Sequence, residues 1–525
     1  MNTGNLLSLV LPELLLIAAA CVLFLLGVFP GKAARMAVPF VALLALLAAM
    51  TTQLTYQSDP AVISADPSDS IRLAGMAIYI KTLAAAMGAL FVLLSWPTDR
   101  NRGGNSAVQY GADATGEYFA LLLLCISGIF LVAGANDLIL LFLGIELASI
   151  PTYIMVSISR PLPVAQEAGV KYFFLGAMSA AVLLLGMSYL YGSTGLIDLH
   201  QIAEHFAANR TGVLSNWELL GVLMVMAGLS FKMAAVPLQF YAGDVYEGAA
   251  TPVTALLSFV PKTSGLVALV KILWMVGGGT WQTPENIARL VAVIAMLTMT
   301  VGNVLGLMQH NVKRVFACSS IAHSGYLLVG VAAVITGKSQ NALGGVLFYL
   351  AAYGLMNVAA FGVLMLLPSR SNRPATSAET FEELAGTGRE HLALGLAMAV
   401  ACFSLTGLPF TIGFWGKAFL IVPSLSVGNT GLVVVMMINA AISAGYYLKI
   451  VGVMFLRPVA HASETASAKQ DTGRPAPITI AIALSTAAVL ALGIVLPMTE
   501  VLRTKTVQSS QIDSLPTPPT ASAAR

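Results

Sequence analysis

Residues 228–237 read GLSFKMAAVP, a stretch that puts a cation and a helix breaker close together inside an apolar run. The run from Leu219 to Pro237 is apolar enough to lie in a bilayer, yet it contains Lys232. Proline removes a backbone donor and clashes with the preceding helical turn. Inside a bilayer, carbonyls that have lost their helical hydrogen bond need another donor, which is either a protein group or trapped water. The stretch therefore predicts a membrane helix that is broken beside a polar, water-holding pocket.

The composition of the chain is typical of a membrane protein. Of its 525 residues, 57% are hydrophobic and only 10% are charged, whereas about 25% are charged in ordinary soluble domains. The net charge of +3 is too small to indicate a nucleic-acid partner. The four cysteines lie far apart in apolar runs, which argues against disulfide scaffolds and against zinc or iron–sulfur sites. We expect an all-α polytopic protein that is embedded in a lipid bilayer.

Apolar segments of about 20 residues predict fourteen transmembrane helices, numbered here as spans 1 to 14. The predicted spans are 5–27, 34–54, 73–94, 116–134, 137–157, 165–191, 217–241, 252–276, 285–308, 316–336, 341–367, 391–421, 429–456 and 477–498. The linker 192–216 contains LIDLHQIAEHF, whose amphipathic pattern predicts a helix at the membrane interface.

Two stretches of the chain are similar to each other. Residues 168–191 and 344–367 align without gaps and share five residues of 24. Each is followed by an amphipathic linker and then by a span that contains a proline, Pro237 or Pro409. Spans 4–8 and 9–13 are therefore interpreted as two five-helix repeats, and because five is odd the second repeat is inverted. Inverted repeats that each contain a broken helix are typical of ion transporters.

This interpretation divides and orients the chain. Its parts are an N-terminal three-helix segment (1–115), the first repeat (116–276), the second repeat (285–456), helix 14 (477–498) and a polar tail (499–525). The loops after odd-numbered spans hold thirteen Lys and Arg residues, against seven on the opposite side. The positive-inside rule then places both termini outside the cytoplasm, on the periplasmic side of a bacterial inner membrane.

Seven basic residues fall within or at the edges of the predicted spans, and all seven are lysines. The chain has fifteen arginines and twelve lysines, so composition alone does not explain this sorting. Arginine stays charged, as a voltage sensor requires, whereas lysine can lose its proton when it is desolvated. We interpret these lysines as groups that titrate.

Glu146, Lys232, Lys262 and Lys417 are the candidate proton carriers. A charged residue within a span costs about 2.5–3.5 kcal/mol on insertion scales, so each needs a partner or a hydrated cavity. We expect Glu146 to pair with Lys232, since spans 5 and 7 belong to the same repeat. The alternative for all four is a static ion pair or a side chain that reaches to the interface. A structural role is the preferred interpretation of five further residues: Glu13, Lys81, Lys171, Lys271 and Lys449.

His323 in span 10 is a candidate relay group. When the repeats are aligned at their offset of 176 residues, Glu146 falls beside Ala322, one position from His323. A neutral imidazole can accept and donate a proton through its two nitrogens. The alternative is a histidine that is buried and hydrogen-bonded for structural reasons. Other polar residues could organise water, but no stronger signal marks them: Tyr153, Tyr349, Tyr353, Thr263 and Ser264.

Four motifs resemble a known family. FKMAAVPLQFYAGDVYEGAATPVTALLSFVPK (231–262) resembles the signature of subunit N, subunit 2 in mitochondria, of the proton-pumping NADH:quinone oxidoreductase, respiratory complex I. FLGIELASIPTYI (142–154), KRVFACSSIAHSGYLL (313–328) and SLTGLPFTIGFWGK (404–417) fit the same family, so the resemblance covers nearly the whole chain. A subunit of a multi-subunit sodium/proton antiporter and a structural membrane spacer are the alternatives.

The resemblance implies one proton-translocating unit with assigned residues. In this family Glu146 matches the carboxylate that pairs with Lys232, Lys262 matches the central relay lysine, and Lys417 matches the lysine that leads toward the exit. His323 matches a polar position of the same relay. The resemblance also implies that NADH, FMN, iron–sulfur clusters and quinone are bound by other subunits. The expected partners are other membrane subunits of the complex, including the sister subunit M and the small subunit K.

Overall fold

The structure is a computed structural model that describes residues 3–29, 32–56, 75–97, 115–160, 162–208, 214–339, 341–367, 379–458 and 475–494. Within these residues the chain forms α-helices and no strand. The predicted all-α membrane fold is confirmed. The predicted polar tail, 499–525, lies outside the described residues.

The described helices are numbered in chain order. They are α1 Thr3–Val28, α2 Lys32–Tyr56, α3 Gly75–Leu94, α4 Thr115–Gly134, α5 Leu138–Ile158, α6 Pro163–Thr194, α7 Leu199–Ala208, α8 Asn216–Lys232, α9 Ala242–Gly248, α10 Thr251–Val276, α11 Glu285–Met308, α12 Val312–Val334, α13 Ala342–Leu366, α14 Phe381–Leu384, α15 Thr387–Glu390, α16 Leu392–Thr406, α17 Ile412–Ser426, α18 Thr430–Leu456 and α19 Ala476–Ile494.

Among the described residues, 12 helices are long and apolar enough to cross a membrane. The helices in predicted spans 7 and 12 are shorter, because both spans are interrupted: α8 has 17 residues, and α16 and α17 have 15 each. The predicted number of fourteen spans and the two inverted repeats stay predictions. The amphipathic linker does contain a helix, α7, which buries Leu199, Ile202 and Phe206.

The first helix break differs in position from the predicted one. Span 7 was expected to continue to residue 241, but α8 ends at Lys232, five residues before Pro237. The next residues leave the helical path, because Ala234 has a φ of 54° and Pro237 cannot donate a backbone hydrogen bond. The break therefore begins at the lysine itself and ends where α9 begins at Ala242.

The second break lies where Pro409 predicted it, between α16 and α17. Helix α16 ends at Thr406, and Gly407 caps it with a φ of 90°, a left-handed conformation that glycine adopts without a Cβ clash. Helix α17 begins at Ile412. The two breaks place backbone groups without helical partners inside the bundle, where side chains bind them.

Helices α10 and α12 form the centre of the molecule. Every residue of α10 except Lys271 is buried, and so is every residue of α12 except Arg314. The outer helices expose large apolar side chains, as expected of surfaces that face lipid. One end of the bundle carries Arg160, Lys313 and Glu379 and is called the Glu379 end. The loop with Lys338 follows α12 and lies at the opposite end, called the Lys338 end.

Candidate functional site

Lys232 and Glu146 form an ion pair inside the bundle. Nζ of Lys232 lies 2.8 Å from Oε1 of Glu146, and the two side chains are only 2% and 15% exposed. The same ammonium donates to Ser149 Oγ and to Tyr153 OH, each at 3.0 Å. An ammonium has three N–H donors, so Lys232 uses all of them. The site thus provides an acceptor for each N–H of the ammonium.

The helix break beside Lys232 is stabilised by side chains from α11, from α12 and from the break itself. Ser324 of α12 donates to the carbonyl of Met233, and Tyr241 donates to that of Phe231 at 2.9 Å. The amide of Val236 donates to Thr298 of α11 at 3.0 Å. Side chains thus satisfy the backbone groups that the broken helix would otherwise leave unpaired in an apolar environment.

A small cavity connects Lys232 with Lys262. It has a volume of about 10 Å³ and is lined by both lysines together with Tyr172, Tyr246 and Ser320. A cavity of this size holds about one water molecule when polar groups line it. The sequence-predicted polar pocket beside the first break is present at this place.

Lys262 has no carboxylate partner within the described part of the chain. Its Nζ donates to the backbone carbonyl of Ser320 at 2.6 Å and to Ser320 Oγ at 2.9 Å. On another side, Nζ lies 4.2 Å from the centre of the Tyr353 ring, a cation–π distance. Ser320 Oγ also lies 3.1 Å from the hydroxyl of Tyr246, which lines the cavity.

His323 is held by two tyrosine hydroxyls. Its Nδ1 lies 2.6 Å from Tyr349 OH, and its Nε2 lies 3.1 Å from Tyr447 OH. Tyr447 in turn hydrogen-bonds with Ser319. Hydroxyls can donate or accept, so this environment can stabilise either neutral tautomer of the imidazole. Both ring nitrogens are therefore in contact with groups that can rearrange when a proton moves.

Lys417 binds the end of the helix that the second break creates. Its Nζ donates to the carbonyls of Leu405 at 3.1 Å and Thr406 at 2.7 Å, the last two residues of α16. The end of a helix carries a partial negative charge, which attracts a cation. Nζ also lies 5.0 Å from the centre of the Tyr326 ring. Lys417 thus has the same surroundings as Lys262: two oxygen acceptors, one aromatic face and no described carboxylate partner.

One tyrosine ring lies between Lys262 and His323, and another lies between His323 and Lys417. The Tyr353 ring lies 4.2 Å from Lys262 Nζ and 4.9 Å from the His323 ring. The Tyr326 ring lies 5.4 Å from the His323 ring and 5.0 Å from Lys417 Nζ. The structure therefore orders the groups as Glu146, Lys232, Lys262, His323 and Lys417.

The other membrane lysines lie outside this row. Lys81 pairs with Glu13 at 2.6 Å, and Lys171 pairs with Glu167 and Asp244. Lys271 donates to the carbonyls of Ala133 and Ala135 at the end of α4. Lys449 lies over the Phe381 ring.

Several residues that contact the groups of this row were not predicted from the sequence. Ser320, Tyr246 and Tyr447 were not singled out, although Ser320 lies within the quoted motif three residues before His323. Thr263 and Ser264, which were considered, only donate to carbonyls of their own helix. Ser320 could have been found from its position, because it is a polar residue one helical turn before the candidate His323.

A charged cluster closes the Glu379 end of the bundle. Oε1 of Glu379 lies 2.5 Å from Arg160 Nη2 and 2.9 Å from Lys313 Nζ. Lys313 also donates to the carbonyl of Ala249 at 2.8 Å. Burial raises the pKa of Glu379, but Lys313 and Arg160 lower it by more, so the pKa lies below its usual range. The carboxylate therefore stays charged and ties α12 to the loops after α5 and α13.

Comparison with known proteins places this geometry in a family. The profile of the NADH:quinone oxidoreductase/Mrp antiporter transmembrane family matches residues 135–443, which include all five groups of the row. The chain is 39% identical to NADH-quinone oxidoreductase subunit N of Myxococcus xanthus over 72% of this chain and 76% of the relative. It is 35% identical to subunit N of Trichlorobacter lovleyi over 86% of this chain and 88% of that one. This chain belongs to the NADH-quinone oxidoreductase subunit N family.

Solved structures support the family assignment at the level of the fold. A chain of respiratory complex I from Thermus thermophilus with bound aureothin is 29% identical, has a TM-score of 0.73, and the match covers 94% of this chain and 98% of that one. A chain of the Mrp complex from a Dietzia species has a TM-score of 0.75 at 19% identity, over 95% and 97% of the two chains. At that identity the second likeness shows the fold alone. The subunit N family and the Mrp proteins therefore share one helical scaffold.

Proposed function

We propose that this chain is a proton-translocating membrane subunit of a respiratory NADH:quinone oxidoreductase and that Glu146, Lys232, Lys262, His323 and Lys417 carry the protons. The observation that supports this most strongly is the row of buried titratable groups across the centre of the bundle, joined by a cavity and two tyrosine rings. The redox chemistry, with NADH, FMN, iron–sulfur clusters and quinone, is then done by other subunits. Subunits M and K are the expected neighbours in the membrane.

The first step is electrostatic. Glu146 stabilises the charged form of Lys232 across 2.8 Å. Two unit charges 4 Å apart interact by about 4 kcal/mol at an effective dielectric constant of about 20. This corresponds to roughly a thousandfold change in a proton-binding equilibrium. A movement in a neighbouring subunit that separates the pair therefore makes Lys232 release its proton more easily.

The released proton then has a short path to the second lysine. The cavity that both lysines line accommodates about one water molecule, which can accept the proton from Lys232 and pass it on. Lys262 is held by a carbonyl, a hydroxyl and an aromatic face instead of a carboxylate. These weaker partners stabilise the cation less than a carboxylate would, so Lys262 can both take up and release a proton.

From Lys262 the proton passes by way of His323 to Lys417. Water molecules and the tyrosine hydroxyls on both imidazole nitrogens carry it across the gaps that the Tyr353 and Tyr326 rings partly fill. Lys417 lies at the second helix break, where it exchanges the carbonyls of α16 for water when it gives up the proton. Each helix break thus holds one end of the relay. By the positive-inside rule, the termini and the Lys338 end face the periplasm of a bacterial inner membrane.

The test measures protons pumped per electron by the whole complex in proteoliposomes. We expect Lys232→Ala, Glu146→Gln and Lys262→Ala each to reduce this ratio, while Lys449→Ala, the matched control at an exposed lysine outside the relay, keeps it. Lys262→Arg separates charge from titration, because arginine keeps the charge but does not release a proton. Full coupling in all three relay variants would show that the row is structural. Sodium exchange without any electron transfer would instead favour the antiporter alternative.

A further inference from the structure

A second buried ion pair lies far from the relay, among the first four helices. Oε1 of Glu13 in α1 is 2.6 Å from Nζ of Lys81 in α3, and the side chains are 4% and 0% exposed. Helices α2 and α4 each pack against both α1 and α3, so the pair spans the centre of a four-helix arrangement. On the α4 side, the Phe130 ring lies 6.0 Å from the ammonium. From the sequence alone, Glu13 and Lys81 are interpreted separately, as structural groups.

Gln53 of α2 lies at the same depth as this pair. Leu9, Tyr56 and Ile78 of the three helices pack together in a small apolar cluster. Gln53 is three residues before Tyr56, and α2 runs opposite to α1 and α3, so Gln53 lies one helical turn from the cluster. Glu13 lies one helical turn after Leu9, and Lys81 lies one turn after Ile78. Both are therefore on the same side of the cluster as Gln53. The three polar side chains therefore form one layer.

This layer has polar atoms without a protein partner. Gln53 is 0% exposed, yet neither its Nε2 nor its Oε1 has a hydrogen-bond partner among the described residues. Oε2 of Glu13 has none there either. The ammonium of Lys81 has three N–H donors, and one carboxylate oxygen cannot occupy them all. Buried polar groups are nearly always paired, so a ligand that both donates and accepts fits this layer.

Water has the required chemistry, and the layer lies close to the ends of α2 and α3. It binds between two and four polar partners in buried sites, and two acceptor atoms and two donor groups are available here. Gln53 lies three residues from the end of α2, and Lys81 lies six residues from the start of α3. At 1.5 Å per residue, Gln53 is about 5 Å from the end of α2, and Lys81 is about 9 Å from the start of α3. Helix α4, whose Phe130 ring faces Lys81, ends at the Lys338 end of the bundle, where Lys271 binds its last carbonyls.

We propose that Glu13, Gln53 and Lys81 form a second buried site, which binds water and exchanges protons with it. In the exchange one N–H bond of Lys81 breaks, the water takes that proton and gives another to Oε2 of Glu13, and the water is regenerated. The pair changes from ammonium and carboxylate to amine and carboxylic acid, so no isolated charge remains. Tyr56 is the other titratable group that faces Glu13, and α4 contributes the uncharged Phe130. This site is separate from the proposed relay and does not depend on it.

Infrared spectroscopy of the whole complex tests the exchange without any measurement of pumping. The carboxyl and carboxylate bands of Glu13 are identified by their loss in Glu13→Gln. We expect acidification to produce a carboxylic-acid band of Glu13, and we expect this band to shift within minutes when the solvent is changed to D2O. A carboxylic-acid band that stays unshifted for hours would mean a dry, static ion pair and would overturn the proposal.

The role of Gln53 is tested by a matched pair of variants. Gln53→Leu removes the amide oxygen and nitrogen at similar volume, so we expect the carboxylic-acid band of Glu13 to shift at least tenfold more slowly. Ser127→Ala in α4 is the control, since Ser127 is also buried without a described partner. In this variant the carboxylic-acid band of Glu13 should shift as in the unmodified chain. Equal rates in both variants would contradict the proposed site. If Gln53→Leu does not assemble, a high-resolution map of the unmodified complex decides: a water bonded to Gln53 and Glu13 supports the site, and a layer without density contradicts it.

Discussion

Lys232 and Lys262 are both buried lysines, but they are stabilised in different ways. Lys232 has a carboxylate partner, whereas Lys262 has a carbonyl, a hydroxyl and an aromatic ring. The carbonyl of Ser320 that Lys262 binds lies inside α12, so it keeps its helical backbone hydrogen bond if the lysine is removed. Removal of one partner of a buried ion pair leaves an uncompensated charge, whereas removal of a lone cation does not. The two lysines should therefore differ sharply in their effect on stability.

We expect Lys232→Met to destabilise the protein by about 3–5 kcal/mol, because Glu146 loses its partner. Lys262→Met should change the free energy of unfolding by less than about 1 kcal/mol or increase it. Both are measured by unfolding in lipid nanodiscs. The double variant Lys232→Met/Glu146→Met should recover most of the loss. A large destabilisation by Lys262→Met would indicate an unrecognised anionic partner.

The contact between Glu146 and Lys232 could be predicted from the sequence, but the aromatic surroundings of the buried lysines could not. Lys232 and Glu146 stand out because few charged residues occur in apolar runs. Tyr353 and Tyr326 do not stand out, since tyrosine is common in membrane helices and its role depends on which ring faces which cation. The pairing of Glu13 with Lys81 was also missed. The two residues are 68 positions apart, and sequence spacing within one helix does not relate them.

At the level of elements, the break between α16 and α17 depends on one glycine. Gly407 has a φ of 90°, and a Cβ added there would lie 2.9 Å from Cδ of Lys417. A left-handed conformation costs a residue with a Cβ about 1–2 kcal/mol. The conformation of Gly407 therefore determines the path of the backbone at the break and leaves room for the side chain of Lys417.

We expect Gly407→Ala to lower the free energy of unfolding by about 1–2 kcal/mol and to reduce proton pumping, because Lys417 is displaced from the end of α16. Gly431→Ala is the matched control. It lies in the first turn of α18, and nothing lies within 4 Å of its added Cβ. That substitution should leave pumping unchanged and stability equal or slightly higher. Equal effects of the two substitutions would show that the conformation of Gly407 is unimportant.

Glu379 links the ends of elements that are far apart in sequence, since Arg160 is 219 positions away. Its pKa is lowered by Lys313 and Arg160 against the opposing effect of burial. A carboxyl whose folded-state pKa is depressed adds stability above its unfolded pKa, about 4.3, and this stability is lost as the pH falls through the folded pKa. Distance in sequence is the reason that no local pattern predicted this contact.

We expect Glu379→Gln to lower stability by about 3–5 kcal/mol at pH 7 and to have progressively less effect below about pH 4.3. Thermal unfolding between pH 3 and 7 measures the difference. Glu382→Gln, an exposed glutamate three residues further on, is the control and should change stability by less than about 0.5 kcal/mol. A destabilisation by Glu379→Gln that is constant down to pH 3 would contradict the assigned role.

At the level of the whole molecule, the bundle has two chemically different ends. Arg160, Lys313 and Arg314 lie at the Glu379 end, together with the acidic residues that bind them. Lys338 lies at the other end. The positive-inside rule predicts that the Glu379 end faces the cytoplasm, and this orientation stays a prediction.

The orientation can be tested with a thiol reagent that does not cross membranes. Cys21 is exposed and is first replaced by serine, while the other three cysteines are buried. In right-side-out vesicles we expect Lys338→Cys to be labelled and Arg389→Cys to be protected. Inverted vesicles should give the opposite result. The reverse pattern would place the termini in the cytoplasm and correct the prediction.

The enclosure of α10 also has a consequence for how the protein is made. This helix is surrounded by α4, α5, α7, α8 and α13, and α13 is synthesised only after α11 and α12 have followed it from the ribosome. During translation, Lys262 therefore emerges from the ribosome before Ser320 and Tyr353 exist to bind it. The nascent chain passes through a stage in which a membrane lysine lacks its final neighbours. Assembly factors, or retention at the translocon until α13 emerges, would act at this stage, and substitutions in α12 and α13 should affect protein yield as well as proton transfer.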